Sequence, residues 1–439
     1  MIQKNIDALA RDLVLSDDLG AKQTAVNEIY EMARTKGIFL ASIHDLYKAR
    51  GEGKCSGGFT VPAINLRNLT YYLAKAIFRV AKKNNSGAFI FEIAKSEMGY
   101  TAQPPIEYTG VILGAAIKEE YVGPVFIQGD HCQINAKAYA ADPKKEIASI
   151  KHLIEDAVAA GFFNIDVDSS TVVKLDRKDV KEQQRDNFTI CAQLTELVRE
   201  IQPDGIMVSV GGEIGEVGGK NSTVEELKAF MDGYLEVLPP GMEGISKISI
   251  QTGTSHGGVV LPDGSIAQVK VDFETLKKLS NYAREQYRIG GAVQHGASTL
   301  PAAAFNNLPE NDALEVHLAT QFQNMMFDSV IFPKDLKERM YEWTKKNCAD
   351  ERKDGQTEDQ FFYKARKKAL GPFKKEIMNL PEDIKEGIAQ EIEGKFDFLF
   401  KQLKAVGNRD LVNKFIKPKN VKLNLGKVAK AVLDGVGDD

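Results

Sequence analysis

Cysteine is scarce: four in 439 residues, at Cys55, Cys132, Cys191 and Cys348, with no CxxC pair among them. That spacing excludes a disulfide framework or a Cys-rich zinc module and fits reduced thiols, so a cytoplasmic location is expected. No stretch approaches 18 uncharged apolar residues, so no membrane-spanning helix and no membrane partner are expected. The first residues, MIQKNIDALARDLVLSDDLG, mix charge with apolar side chains and hold no apolar core of signal-peptide length. Neither sign of charge dominates: 57 Lys and Arg against 61 Asp and Glu leave a formal net charge of −4. The basic excess of a nucleic-acid binder is therefore missing. Disorder is excluded by 43% hydrophobic residues and a small net charge. Histidine is rare as well, with six in the chain, and this scarcity makes their positions informative.

What is present is a repeating pattern. Residues 1–50 have helical spacing in NEIYEMART and SIHDLYKAR, and read as an N-terminal helical segment with no strand-like run. From Gly57-Gly58 to about residue 320, eight short apolar, β-branched runs follow one another: 59–66, 87–94, 123–130, 162–168, 205–212, 245–253, 290–296 and 313–320. Helical stretches such as KKEIASIKHLIEDAVAAG separate most of them, the signature of parallel βα units. Count and span predict an α/β chain whose residues 51–331 form a (β/α)8 TIM barrel, the catalytic domain. Residues 332–439, punctuated by Pro333, Pro372, Pro381 and Pro418, read as a helical C-terminal extension. Its apolar residues, such as Phe396 and Phe400, predict packing against the barrel or a second subunit, and a homo-oligomer is expected.

In such a barrel, functional residues gather where the strands end at their C-terminal side. Those ends carry, in order, Asn65, Ser96, Asp130-His131, Asp168 with Ser169 and Ser170, Glu213, His256-Gly257, His295-Gly296 with Ser298, and His317 with Thr320. Four of the six histidines thus fall at strand ends. His131, His256 and His295 from three strands, with the Glu213 carboxylate from a fourth, would converge at the barrel mouth. Imidazole nitrogens with a carboxylate oxygen suit a catalytic Zn²⁺ site. Gly257, Gly296 and the stretch Gly211, Gly212, Gly215, Gly218 and Gly219 would let the backbone approach a ligand closely. Ser298 and Thr320 lie in the loops where barrels commonly hold phosphate.

QGDHCQ (128–133), GGEIGEVGGKNST (211–223), QTGTSHGG (251–258) and QHGAST (294–299), in this order, resemble the class II, metal-dependent fructose-bisphosphate aldolase family. VPAINLRNL and the SE of AKSEMGY resemble its first two strands, and the resemblance spans roughly residues 40–325. It implies that His131, His256 and His295 are zinc ligands, that Glu213 completes or alternates in the metal shell, and that Asp168 lies near an alternative metal position. Zinc is the implied ion, with another divalent ion or an additional monovalent cation as alternatives. Asp130 matches the acid/base for the proton on the substrate's C4 hydroxyl. Gly257, Gly296, Ser298 and Thr320 match positions that hold the dihydroxyacetone-phosphate end, Ser96 matches a hydroxyl for the second phosphate, and Asn65 joins the substrate side.

The implied partner is a phosphorylated sugar, with fructose 1,6-bisphosphate cleaved to dihydroxyacetone phosphate and glyceraldehyde 3-phosphate. Such cleavage leaves a carbanion beside a carbonyl, which a Lewis acid spreads as an enediolate while a carboxylate takes the C4 proton. A Schiff-base route needs a desolvated lysine at a strand end. The strand ends offer none, although Lys95 and Lys174 lie nearby.

Two departures stand out. Where the family has Asn-x-Asp-Thr-Asp on its eighth strand, this chain reads His317-Leu318-Ala319-Thr320-Gln321. His317 thereby becomes a catalytic candidate facing the substrate. In the loop after the fifth strand, the acidic proton shuttle aligns with Asn221, and the following STVEE reads first as a helix cap by Ser222 or Thr223. These departures keep two alternatives open: an aldolase for another phosphorylated ketose, such as tagatose 1,6-bisphosphate, or a non-catalytic aldolase-like partner subunit.

Overall fold

The computed structural model describes residues 5–215, 220–254, 261, 270–419 and 421. Nine strands form one sheet: β1 (Ile38–Ala41), β2 (Val61–Asn65), β3 (Ile90–Ala94), β4 (Gly123–Gln133), β5 (Asn164–Asp168), β6 (Ser209–Glu213), β7 (Lys247–Ile250), β8 (Ala292–Gln294) and β9 (Glu315–Leu318). Their order is β1-β4-β3-β2-β9-β8-β7-β6-β5, and a further β4–β5 pairing joins β2 through β9 into a closed ring of eight. Every pairing is parallel. The expected (β/α)8 barrel is the observed fold. Its strands are buried on both faces, which is why they read as continuous apolar runs.

β1 corrects the expectation that residues 1–50 are helical throughout. Ile38–Ala41 pairs with residues 123–126 at the start of β4, whereas β5 pairs with residues 128–133 further along the same strand. β1 therefore extends the sheet at the N-terminal end of the barrel, in line with β5. Buried Asn164 joins the two: its Nδ2 donates to Ile127 O at 2.9 Å and Ala41 O at 3.4 Å, and its Oδ1 accepts from Ile43 N at 2.9 Å. The helix His44–Gly51 follows and sends Tyr47 into the barrel floor, where its hydroxyl donates to Glu315.

The helix Glu382–Gln402 runs along the barrel helix Thr70–Lys83. Its buried Phe396 and Phe400 lie against Phe322 and Phe89, with ring centroids 4.8 and 5.6 Å apart. Tyr72 donates to Glu382 at 2.8 Å and Arg79 Nε to Glu393 at 2.8 Å along the rim of this contact. Beyond it, Thr60 N donates to Leu403 O at 2.9 Å, so the residues after the helix also hold the start of β2.

Candidate active site at the barrel mouth

Local backbone shape sets the site. β4 carries an irregularity between Gly129 and Cys132 in its pairing with β5, and His131 within it adopts φ +42°. A bulge of this kind breaks the alternation of faces and re-aims side chains, a common device beside active sites. It is why two consecutive residues, Asp130 and His131, both join the site. Gly296 follows β8 with φ +66°, a left-handed conformation that turns the chain sharply into residues 297–299.

Three imidazoles form a row. The ring centroids of His131 and His295 are 4.5 Å apart, and those of His295 and His317 are 4.0 Å apart. Around His131, Nδ1 lies 3.4 Å from Asp168 Oδ2 and 3.7 Å from Glu213 Oε2, while Nε2 lies 3.6 Å from Asp130 Oδ1. His295 Nε2 meets Ser249 Oγ at 2.9 Å. One ligand atom each from His131, Glu213 and His295 fall within 4.8 Å of one another, and so do those of Asp130, His295 and His317. Two nitrogens and a carboxylate oxygen on separate rigid strands match the donor chemistry of a zinc-type site. His256 and Gly257 lie outside the described residues, as do Gly218 and Gly219.

Electrostatics follow from crowding charge without water. Burial would depress His131, but Asp130, the bond with Asp168, and Glu213 hold it well above the usual imidazole range. Burial would raise Asp130, yet His131, His317 and His295 hold it well below the usual carboxylate range. Glu213 goes the other way, pushed up by burial and by the neighbouring Asp168. Asp168 is itself lowered, since its bonds with His131, Ser170 and Gln133 outweigh its burial.

One layer deeper lies a group that the reading of strand ends missed. Lys247, at the start of β7, is wholly buried, and its Nζ donates to Glu315 Oε1 at 2.5 Å, Gln128 Oε1 at 2.7 Å and Asp166 Oδ2 at 2.9 Å. Gln128 Nε2 donates onward to Glu92 Oε2 and Glu315 Oε1, both at 3.0 Å. Gly211 on β6 makes room, because a Cβ there would collide with Asp166 Oδ1 and lie 3.0 Å from Lys247 Cε. Its smallness thus serves the interior; the expectation of close ligand approach at Gly211 is corrected. A signal was available for most of this layer: Gln128, Asp166, Lys247 and Glu315 precede Asp130, Asp168, Ser249 and His317 of the mouth by two positions, the period that returns a strand to the same face. Lys247 is a buried lysine, but it lies at the floor end of its strand, and Asp166 and Glu315 keep it charged against burial.

His317 ties the two layers together. Its Nδ1 lies 3.1 Å from both Asp130 Oδ1 and Glu92 Oε2, and its Nε2 lies 2.8 Å from Glu315 Oε1. The remaining candidates sit around the rim. Asn65 Nδ2 donates to Glu97, which also accepts from Arg67 Nε at 2.8 Å. Ser96 lies in the first turn of the helix Lys95–Tyr100, and Thr320 begins the helix Thr320–Asp328. Ser298 Oγ accepts from Ala319 N at 2.8 Å, stitching the loops after β8 and β9. In the loop after β6, Thr223 caps the helix Val224–Val237 with Glu226 in a capping box, and Asn221 Nδ2 donates to Asp272 at 2.9 Å.

Residues 53–391 match the family described as fructose-bisphosphate aldolase class-II. No curated protein matches the sequence. Among solved structures, a protein of Sinorhizobium meliloti 1021 described as a probable tagatose 6 phosphate kinase is similar at 13% identity and TM-score 0.55, covering 79% of this chain and 97% of its own. Fructose-bisphosphate aldolase from Campylobacter jejuni is similar at 17% identity and TM-score 0.46, covering 84% and 96%. The YdjI aldolase from Escherichia coli K12 is similar at 15% identity and TM-score 0.44, covering 78% and 98%.

Proposed function

This chain belongs to the class II fructose-bisphosphate aldolase family, and we propose that it is a zinc-dependent lyase that reversibly cleaves a ketose bisphosphate, fructose 1,6-bisphosphate first, to dihydroxyacetone phosphate and glyceraldehyde 3-phosphate. The observation that carries this reading is the donor set His131, Glu213 and His295 beside the buried Asp130, whose carboxyl its histidine neighbours hold well below the usual carboxylate range. A divalent ion held by those three residues would polarise the substrate carbonyl and stabilise the charge left by cleavage. Asp130 is the base: its contacts with His131 and His317 both use Oδ1, which leaves Oδ2 to take the proton of the C4 hydroxyl. His317 is a positioning residue here, since it touches Asp130, Glu92 and Glu315 and so fixes where the base sits. Gly296 and the hydroxyls of Ser298 and Thr320 would receive one phosphate, and Ser96 with Asn65 the other end of the sugar.

A second reading, cleavage of another phosphorylated ketose such as tagatose 1,6-bisphosphate, is favoured by β9. There His317, and Ala319 just beyond the strand, replace an asparagine and an aspartate expected of the family. Cleavage assays on both bisphosphates, with and without chelator, separate the two readings. Asp130→Ala is expected to lose at least about 10²-fold in cleavage rate, the usual range for general-base help, while retaining zinc. Borohydride with substrate is expected to trap no adduct. Activity that survives exhaustive chelation sinks the metal mechanism, and a fully active Asp130→Ala enzyme removes Asp130 as the base.

A further inference from the structure

At the other end of the barrel, where the strands begin, lies a cleft of about 360 Å³. Its walls come from the segments that lead into three neighbouring strands, β2, β9 and β8. Arg50 belongs to the last turn of the helix His44–Gly51, and Gly53 and Gly57 follow it in the sequence GEGKCSGG (51–58) before β2. Arg284 lies in the last turn of the helix Phe273–Tyr287 ahead of β8, and Asp312 stands three residues ahead of β9. A volume of this size suits a small organic ligand. None of the residues given to the mouth lines the cleft.

Two guanidiniums share one carboxylate here. Asp312 Oδ1 accepts from Arg50 Nη2 at 2.8 Å, and Asp312 Oδ2 pairs with Arg284. One positive charge of this trio is left over. Arg50 is 4% exposed, and its other hydrogen bond runs from Nη1 to Phe59 O at 2.8 Å. Its Nε is buried without a partner and lies 3.7 Å from where a Cβ on Gly57 would stand. A buried donor without an acceptor is costly, the more so on a charged group. Burial pushes both guanidiniums down to about 10, and the charge of Arg50 adds to the effect on Arg284. Glu285 also lines the cleft and acts to raise Arg284, but its side chain is exposed and screened by water.

The glycine-rich turn leaves these charges uncovered. A Cβ on Gly57 would stand 3.1 Å from Asp312 Oδ1 and 3.6 Å from Arg50 Nη2. The backbone N–H groups of Ser56, Gly57 and Gly58 have no acceptor among the described residues. Guanidiniums beside unpaired backbone N–H groups are a donor set suited to phosphate. We propose that this cleft binds a small phosphate monoester, whose phosphate oxygens accept from Arg50, Arg284 and the backbone of residues 56–58. The proposal does not rest on the reading of the mouth.

Hydrogen exchange of the full chain, read peptide by peptide by mass spectrometry, locates the ligand. The probes are glycerol 3-phosphate and inorganic phosphate, with sodium chloride of equal ionic strength as the reference. A ligand at about ten times its Kd slows exchange from the unliganded form by about tenfold, and glycerol 3-phosphate is expected to do so at residues 51–58. The slowing is expected to disappear in Arg284→Gln and in Gly57→Val, whose added methyls would stand against Asp312 and Arg50. Circular dichroism shows each variant folded, and two variants guard against one that is not. No slowing at 51–58, slowing that chloride reproduces, or slowing that both folded variants retain overturns the proposal. Equal or stronger slowing by inorganic phosphate overturns the monoester, because the carbon skeleton then adds nothing. Slowing confined to residues 294–299 and 317–321 places the phosphate at the mouth, which overturns the cleft site and leaves the proposed function standing.

Discussion

The two faces of the same strands obey opposite rules. Along β3, Phe91 and the preceding Phe89 face the helices, with Phe89 edge-on to Phe78, Phe91 and Tyr121 and Phe91 tilted against Phe78, while Glu92 faces the interior among other charges. The outer face is joined by contacts that are individually weak, non-directional and numerous, and their burial is the main source of stability. The inner face is joined by ion pairs and hydrogen bonds whose desolvation offsets much of their attraction, so they add little net stability. They do fix direction. Lys247 holds Glu315, Glu315 holds His317, and His317 holds Asp130, each within about one hydrogen bond of the next. The difference implies that the helical shell keeps the barrel folded while the charged interior keeps the mouth aimed.

The largest way to break that comparison is Lys247→Met. It removes the cation shared by Asp166 and Glu315 and leaves both carboxylates buried without it. Breaking a buried pair in this manner is expected to cost about 3–5 kcal/mol, read by urea unfolding. Adding Asp166→Asn and Glu315→Gln is expected to restore much of that stability but not the cleavage rate. If the triple variant recovers rate as well as stability, the interior charges do not aim the site.

Leu399→Ala is the matching break on the outer side. Leu399 is fully buried on the helix Glu382–Gln402, where it belongs to the continuous apolar core. The lost burial and the cavity are expected to cost about 2–5 kcal/mol. Below the shifted melting temperature, kcat/KM is expected to stay within about twofold of wild type, because no charged link of the interior changes. A tenfold loss of kcat/KM in the folded variant would show that the shell also sets the mouth.

This contrast also explains what was legible in the sequence. Six of the eight barrel strands lie within the runs read from the chain, and β4 and β6 start within theirs and end three residues and one residue beyond, because a parallel strand covered on both faces must be apolar nearly throughout. β1 escaped because IFLA is four residues long, flanked by helical periodicity, and a run that short has no distinguishing period. Asp130, His131, Asp168, Glu213, His295 and His317 stood out because polar residues at strand ends interrupt an apolar pattern. The deeper layer did not stand out, because Glu92 or Lys247 inside an apolar run looks like a solvent-facing residue until the ring closes and makes that face an interior. Distances such as those from His317 Nδ1 to two carboxylates depend on the register of β3, β4 and β9, and no local pattern encodes it.

The smallest expected effect lies where the shell meets the barrel helix through charge. Asp397 on the helix Glu382–Gln402 accepts from Asn84 Nδ2 at 2.7 Å, Lys401 at 2.7 Å and Lys83 at 3.2 Å. Burial acts to raise its carboxyl, but bonds from Asn84, Lys401 and Lys83 hold it at about 2, below the usual 3.8. A carboxyl depressed in the folded state contributes its full stability above the unfolded value and loses it as pH falls through the folded one. The loss therefore falls between about pH 4 and pH 2, and the exposed lysines limit it to about 1 kcal/mol or less. Comparing wild type with Asp397→Asn by thermal unfolding at low salt, the gap in melting temperature is expected to narrow as pH drops through that window. Molar salt is expected to shrink the gap at pH 6. A gap that stays constant from pH 6 to pH 2 would mean that Asp397 acts there as a neutral hydrogen-bond partner, and the charged rim would then add nothing to the apolar seam beneath it.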